Sequence, residues 1–370
     1  MNPTPDSSDA GIQAGVLHPL IKRFLGLNST DLHVTADDTP YVRINGDLQP
    51  MLDEPKITPP VAAQIAESLM GKERYAQFVK DHEFDFAATL PGGERIRVNA
   101  SMQRGHVTLA IRLLSGTFLP LETLGLSKRI ITHIMSLRHG LVLVTGSTGS
   151  GKSTTLASFI NELNMHRAAH IITIEEPIEY IHKSSCSYVT QREVGADTGS
   201  FSEALRRSFR QDPDIVLIGE MRDPETIRSA LTLSETGHLT FGTLHTAEAF
   251  QTVFRIIGSF PPAEQERARL VLATTLRVVI CQQLLPKSDG TGRILATETM
   301  IANPTIRALI RENKLHQIPT VIKSSGQIGM STMNQTLARM VRQHLVNQDV
   351  ACSFSPDREE LIEDLLNRQA

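Results

Sequence analysis

An apolar run, Leu141 to Val144, opens into Gly146-Ser-Thr-Gly-Ser-Gly-Lys152-Ser153, and no other stretch of the chain constrains its fold as tightly. The spacing fits G-x-x-x-x-G-K-[ST], a pattern that works only as a loop between a strand and a helix. Both flanks are present: the apolar run reads as a buried strand, and Ser153 through Leu163 reads as a helix. Glycines let backbone N–H groups turn inward around phosphates, and the helix start adds its positive end. Ser147, Thr148, Gly149, Ser150, Gly151, Lys152, Ser153 and Thr154 are the expected phosphate-loop contacts. Lys152 suits the β- and γ-phosphates and the Ser153 hydroxyl suits Mg²⁺, so the expected ligand is a nucleoside triphosphate, ATP, with its metal.

Residues at the ends of the later apolar runs strengthen that expectation. Strands alternating with helical stretches predict a mostly parallel sheet, and such sheets collect ligands beyond the carboxyl ends of their strands. Ile171–Ile174 leads into Glu175-Glu176-Pro177-Ile178-Glu179, Ile215–Ile218 into Gly219-Glu220, and Leu239–Leu244 into His245. Acid, acid and imidazole are thus expected at one edge, with the phosphate loop. Phosphoryl transfer to water needs charge neutralisation and an oriented nucleophile. Glu179 and Glu220 are the candidate carboxylates, Glu220 also as a metal contact through water, and His245 is a candidate γ-phosphate contact. His238 precedes the same strand, and seven extended residues span up to about 23 Å, too far for both histidines to touch one phosphate.

The chain divides near residue 114. Residues 1–10 read as a disordered tail, 11–113 as an α+β domain, 114–125 as a linker and 126–370 as the nucleotide-binding domain with a C-terminal helical segment. Within the first domain, Asn45-Gly46 suggests a hairpin turn, and Pro91-Gly92-Gly93 joins two strands. Alternation puts Ile96 and Val98 on one face and Arg95 and Arg97 on the other; Arg112 likewise leaves the core face of a strand over 107–113. Arg97 and Arg112 are therefore expected to be available to a ligand or partner.

Composition narrows the class. A formal net charge of −3 gives no basic field for nucleic acid, and the three cysteines contain no C-x-x-C pair that would suggest a disulfide frame or a tetracysteine zinc site. The polar N-terminus does not read as a secretion signal, and no apolar stretch approaches the ~20 residues of a membrane helix. A cytoplasmic protein reaching membranes only through partners is expected.

Taken together, the phosphate loop, Ile171 to Glu179, Gln191-Arg-Glu-Val-Gly, Arg210 to Arg222 and Glu235 to His245 resemble the secretion and type IV pilus ATPase superfamily, in order and in spacing. Thr305-Ile-Arg-Ala-Leu-Ile-Arg-Glu312 is similar to a signature of its retraction (PilT/PilU) branch. The resemblance implies a PAS-like N-terminal domain followed by a RecA-like ATPase domain. It also implies a homohexameric ring that hydrolyses ATP, works at an inner-membrane pilus platform protein with a paralogous pilus ATPase as a further partner, and retracts pili; the alternatives are an accessory retraction ATPase or, behind it, a pilus-assembly or type II secretion ATPase. By the same resemblance Glu179 matches a catalytic glutamate, Glu220 the Walker B glutamate, His238 and His245 a histidine box, and Arg97 and Arg112 nucleotide-approaching arginines. Glu176, Ser147, Thr305 and Ala308 stand where the family pattern has Asp, Pro, Ala and Asn.

Overall fold

The computed structural model describes residues 17–27, 29–44, 46–114 and 116–366. The expected tail 1–10, and Asn45 of the expected hairpin turn, lie outside them. The chain forms two units, one from the residues up to Thr117 together with Pro177–Ile181, the other from Phe118–Glu176 and His182 onward.

The first unit runs α1 (Pro19–Gly26), β1 (Asp31–Thr35), β2 (Tyr41–Ile44), β3 (Asp47–Pro50), α2 (Pro59–Asp81), β4 (Glu83–Thr89), β5 (Arg95–Gln103) and β6 (His106–Leu114). Its strands form an antiparallel sheet in the order β3-β2-β1-β6-β5-β4. Strand alternation sends Leu32, Val34, Ile96, Val98, Leu109 and Ile111 into a core closed by Leu20 and Phe24 of α1 and Ile65 and Phe78 of α2. Helix α2 breaks at Gly71, whose φ of 76° and ψ of 164° leave the helical region, a conformation open to glycine at little cost.

The second unit contains α3 (Lys128–Ser136), β7 (Gly140–Thr145), α4 (Lys152–His166), β8 (His170–Glu175), β9 (Tyr188–Glu193), α5 (Phe201–Ser208), β10 (Ile215–Ile218), α6 (Pro224–Glu235), β11 (Leu239–Leu244), α7 (Ala249–Gly258), α8 (Pro262–Thr275), β12 (Leu276–Pro286) and β13 (Arg293–Ile301). Five helices come after these: α9 (Pro304–Arg311), α10 (Ile318–Ser324), α11 (Met333–Arg342), α12 (Gln348–Phe354) and α13 (Arg358–Leu366). The sheet order is β13-β12-β7-β11-β10-β8-β9, parallel except for the β13 edge. Strands β7, β10 and β11 are buried throughout, as a parallel sheet covered on both faces requires. One face packs on α3 and α4, the other on α5 to α9. Leu121 and Leu124, within the stretch expected to be linker, are buried in the first of these cores, because two leucines three apart share one face of a helical turn.

Candidate phosphate-loop site

The loop after β7 is shaped by its glycines. Gly146, Gly149 and Gly151 have φ of 141°, 78° and 90°, values that a side chain rarely tolerates. A Cβ on Gly146 would sit 2.4 Å from the Gln282 carbonyl oxygen and 2.6 Å from Ser150 Oγ, so this residue admits only glycine. Helix α4 starts at Lys152 with no side chain capping its first turn, which leaves backbone N–H groups for an anion. Lys152 Nζ donates to the carbonyls of Gly146 (2.8 Å) and Ser147 (2.9 Å), lying back along the loop. Gln282 Nε2 donates to Thr155 Oγ1 at 2.8 Å and pins α4 to β12.

Register then gathers the expected partners at this edge. Leu244 pairs with Thr145 across β11 and β7, and Ile218 pairs with both Gly242 and Ile174. Glu220, two residues beyond β10, and His245, one beyond β11, consequently meet: His245 Nε2 lies 2.9 Å from Glu220 Oε1. The same oxygen accepts from Arg222 Nε at 2.5 Å. Burial pulls the Glu220 carboxyl upward, but the Arg222 guanidinium and His245 outweigh it and hold Glu220 below the usual carboxylate range. It is an anion at neutral pH. Its backbone is fixed by Thr243 Oγ1, which donates to the Gly219 carbonyl. Glu175 accepts from Thr173 Oγ1 (2.7 Å) and Gln191 Nε2 (3.2 Å), a second carboxylate supported by its neighbours.

The structure corrects one expectation outright. His238 does not join the site: β11 has six residues, and at about 3.3 Å per residue His238 lies at the far end of the sheet from His245. Its Nδ1 is 3.0 Å from the Leu233 carbonyl and 3.0 Å from Thr236 Oγ1.

Three further candidates belong to the first unit. Arg97, Arg112, Asp31 and Arg43 stand side by side across β5, β6, β1 and β2. Arg97 is exposed with no hydrogen bond or ion pair among the described residues. Arg112, expected to be equally available, instead donates from Nε to Asp31 Oδ1 at 2.7 Å, because the β1–β6 register sets them opposite. Glu179 is half-buried in the Pro177–Ile181 segment. Arg95 Nε donates to the carbonyl of its neighbour Ile178 at 2.6 Å. Arg95 and Arg222 are the residues that sequence reasoning passed over. Arg95 shares the outward face already assigned to Arg97, whereas Arg222 gave no signal beyond its place two residues after Glu220.

Among the described residues no group of three or more His, Cys, Asp or Glu side chains is arranged to hold a metal. The donors at the loop, one hydroxyl (Ser153) and one carboxylate (Glu220), suit Mg²⁺, which takes one or two protein ligands and completes its shell with phosphate and water. Positive φ at Gly149 and Gly151, with nothing within 4 Å of a Cβ built on Gly149, is the left-handed loop geometry that a phosphate cradle uses.

Comparison with known proteins gives this geometry a lineage. Residues 6–350 match the family described as type II/IV secretion system protein. The chain belongs to that family. It is 43% identical to the twitching motility protein of Neisseria gonorrhoeae over 341 residues, which cover 90% of this chain and 91% of the relative. It is 44% identical to the type IV pilus retraction ATPase PilT of Pseudomonas aeruginosa over 323 residues, covering 87% and 93%. A crystal structure of the pilus retraction motor PilT with bound ADP superposes with a TM-score of 0.86 at 45% identity, covering 93% of this chain and 98% of that one. Within the type II/IV secretion family the chain therefore groups with pilus retraction ATPases. Its mixed architecture, a β-rich N-terminal unit followed by a nucleotide-binding unit, is shared with that motor.

Proposed function

We propose that this chain is the ATP-hydrolysing motor of a type IV pilus, acting as a homohexameric ring that powers retraction and twitching motility. What carries the reading is the likeness, over nearly the whole chain, to a solved retraction motor that binds ADP, in a sequence whose phosphate loop, Glu220 and His245 share one sheet edge. The ring works in the cytoplasm against an inner-membrane pilus platform protein, alongside a paralogous pilus ATPase. No helix of the described residues is long and apolar enough to cross a membrane.

The chain's own residues divide the work. Lys152 and the N–H groups of the loop neutralise phosphate charge. Mg²⁺, held by Ser153 and through water by Glu220, would supply charge neutralisation at the phosphates. His245, tied to Glu220, reports the γ-phosphate. Glu179 orients or deprotonates the attacking water, and Arg97 and Arg112 serve the nucleotide; for these three the support is the motif resemblance alone.

Deletion of the gene tests the direction of force. Hyperpiliated, non-twitching cells are expected, rescued by the wild-type gene but not by Lys152→Ala. Loss of pili on deletion would identify an extension motor and overturn the reading.

A further inference from the structure

His238 was paired with His245 by motif and separated from it by geometry, and its surroundings have a chemistry of their own. At the N-terminal edge of the second unit's sheet it lines a cavity of about 280 Å³ with Arg138, Arg167, Pro213, Asp214 and Thr236. Arg138 lies between α3 and β7, and Arg167 follows the last turn of α4.

The polar groups here are only partly spent. Arg167 donates one N–H to the Met135 carbonyl in the last turn of α3. Asp214 Oδ2 accepts the His170 backbone N–H at 2.8 Å. Arg138 is exposed and makes no hydrogen bond or ion pair among the described residues. Each guanidinium carries five donors, so most of the two forks remain unused. The bland reading is that these cations complement the carbonyl ends of α3, α4 and α6. That accounts for one N–H of Arg167 and for the His238 contact with Leu233, but not for two guanidiniums lining one small cavity with a single carboxylate. They are close enough to repel: burial first, and the Arg138 charge second, pull Arg167 below the ordinary arginine range.

We propose that this cavity binds a small phosphate-class oxyanion, with Arg138 and Arg167 as its planar donors and His238 on its wall. Guanidinium forks match tetrahedral oxyanions in geometry and charge. The volume falls just short of the roughly 300–1,000 Å³ usual for drug-sized ligands, so inorganic phosphate fits, or the phosphomonoester end of a molecule such as AMP with its nucleoside left outside, but not a nucleotide enclosed whole. The site is separate from the phosphate loop, since it opens at the other end of the same strands.

The test uses the full-length protein with its phosphate loop saturated by Mg-ADP. Inorganic phosphate is titrated by calorimetry, with AMP in a parallel titration. One phosphate per chain is expected, weakened about tenfold or more by Arg138→Gln and restored in part by Arg138→Lys, which keeps the charge but not the fork. Without ADP, Lys152→Ala should leave this binding intact. Phosphate binding with no AMP competition assigns the free ion; competition by AMP assigns a phosphomonoester. Absence of phosphate binding, binding indifferent to Arg138→Gln at unchanged Tm, or binding lost in Lys152→Ala would each overturn the proposal. None of these readouts depends on pilus retraction.

Discussion

Arg97 and Arg112 occupy adjacent positions on one sheet face and yet do different physical work. Asp31 is buried, and its carboxyl is subject to burial, which raises its pKa, and to Thr30 and Arg112, which together with Arg43 more than reverse that effect. Arg112→Ala leaves Asp31 with the Thr30 hydroxyl and with Arg43 at 3.9 Å. Because the Arg112 side chain is 59% exposed, solvent screens the pair, and the expected loss is about 1 kcal/mol rather than the several of a buried pair. Arg97→Ala should change stability by no more than about 0.5 kcal/mol. Urea unfolding without nucleotide distinguishes them. A carboxyl held low in the folded state stabilises above its unfolded pKa and loses that contribution as pH falls through the folded one, so Arg112→Ala should also flatten the acid side of the stability profile. Alternation along single strands made both arginines legible as outward-facing. Asp31 was not legible as a partner, because it lies 81 residues away and local periodicity carries no information on which strands pair. At the phosphate loop, Lys152→Ala should abolish ATP turnover, since the loop offers phosphate no other ammonium; a colorimetric phosphate-release assay reads it directly.

Among elements, the joint formed by Glu298 on β13 is the most unusual. Its Oε1 accepts the backbone N–H of Ala249, the first residue of α7, at 2.7 Å, and its Oε2 accepts that of Met333, the first residue of α11, at 3.4 Å. One side chain therefore satisfies the starts of two helices. Burial, with Glu248 adding repulsion, outweighs these N–H groups and raises the carboxyl to about 7. Linkage sets the sign: between the unfolded carboxyl range and pH 7 the folded state holds the extra proton, so this group's contribution is full at low pH and is lost as pH rises through about 7. Glu298→Gln should remove that slope. The difference in Tm between variant and wild type should shift in the variant's favour between pH 5 and pH 8; a constant difference would mean that Glu298 does not titrate there. Helix starts elsewhere were partly readable. Asn303 caps α9 ahead of Pro304 as its residue type predicts, and Asp357 Oδ1 accepts the Glu360 N–H at 3.0 Å at the start of α13. Arg307 and Arg311, four apart on α9, share a face by helical spacing, yet Arg307 Nε donates to the Ala302 carbonyl at 2.8 Å. Helical spacing places a residue on a face but does not show which carbonyl ends beside it.

At the scale of the whole molecule, the sequence disclosed the alternation of strands and helices, and with it the edge where the phosphate loop, Glu220 and His245 gather. It did not disclose that Pro177–Ile181 leaves the second unit's run of chain to complete the first. That segment looks like an ordinary loop after a strand; the Arg95 bond to Ile178 and the burial of Ile178 and Tyr180 show that it is structural. A fragment ending at Thr117 would lack both apolar side chains and should melt below the corresponding transition of the full chain; supplying residues 177–181 through a short flexible linker should raise it again, as differential scanning calorimetry would show. The interleaving also bears on how the protein is made. A ribosome delivering about 5–20 residues per second releases the last strand of the first unit several seconds before its closing segment, about 60 residues later. During that interval the six-stranded sheet, complete at Leu114, lacks the Pro177–Ile181 segment while β7, α4 and β8 emerge behind it, so the N-terminal unit reaches its final form only after part of the second unit has been made, though before that unit's strands β10 to β13.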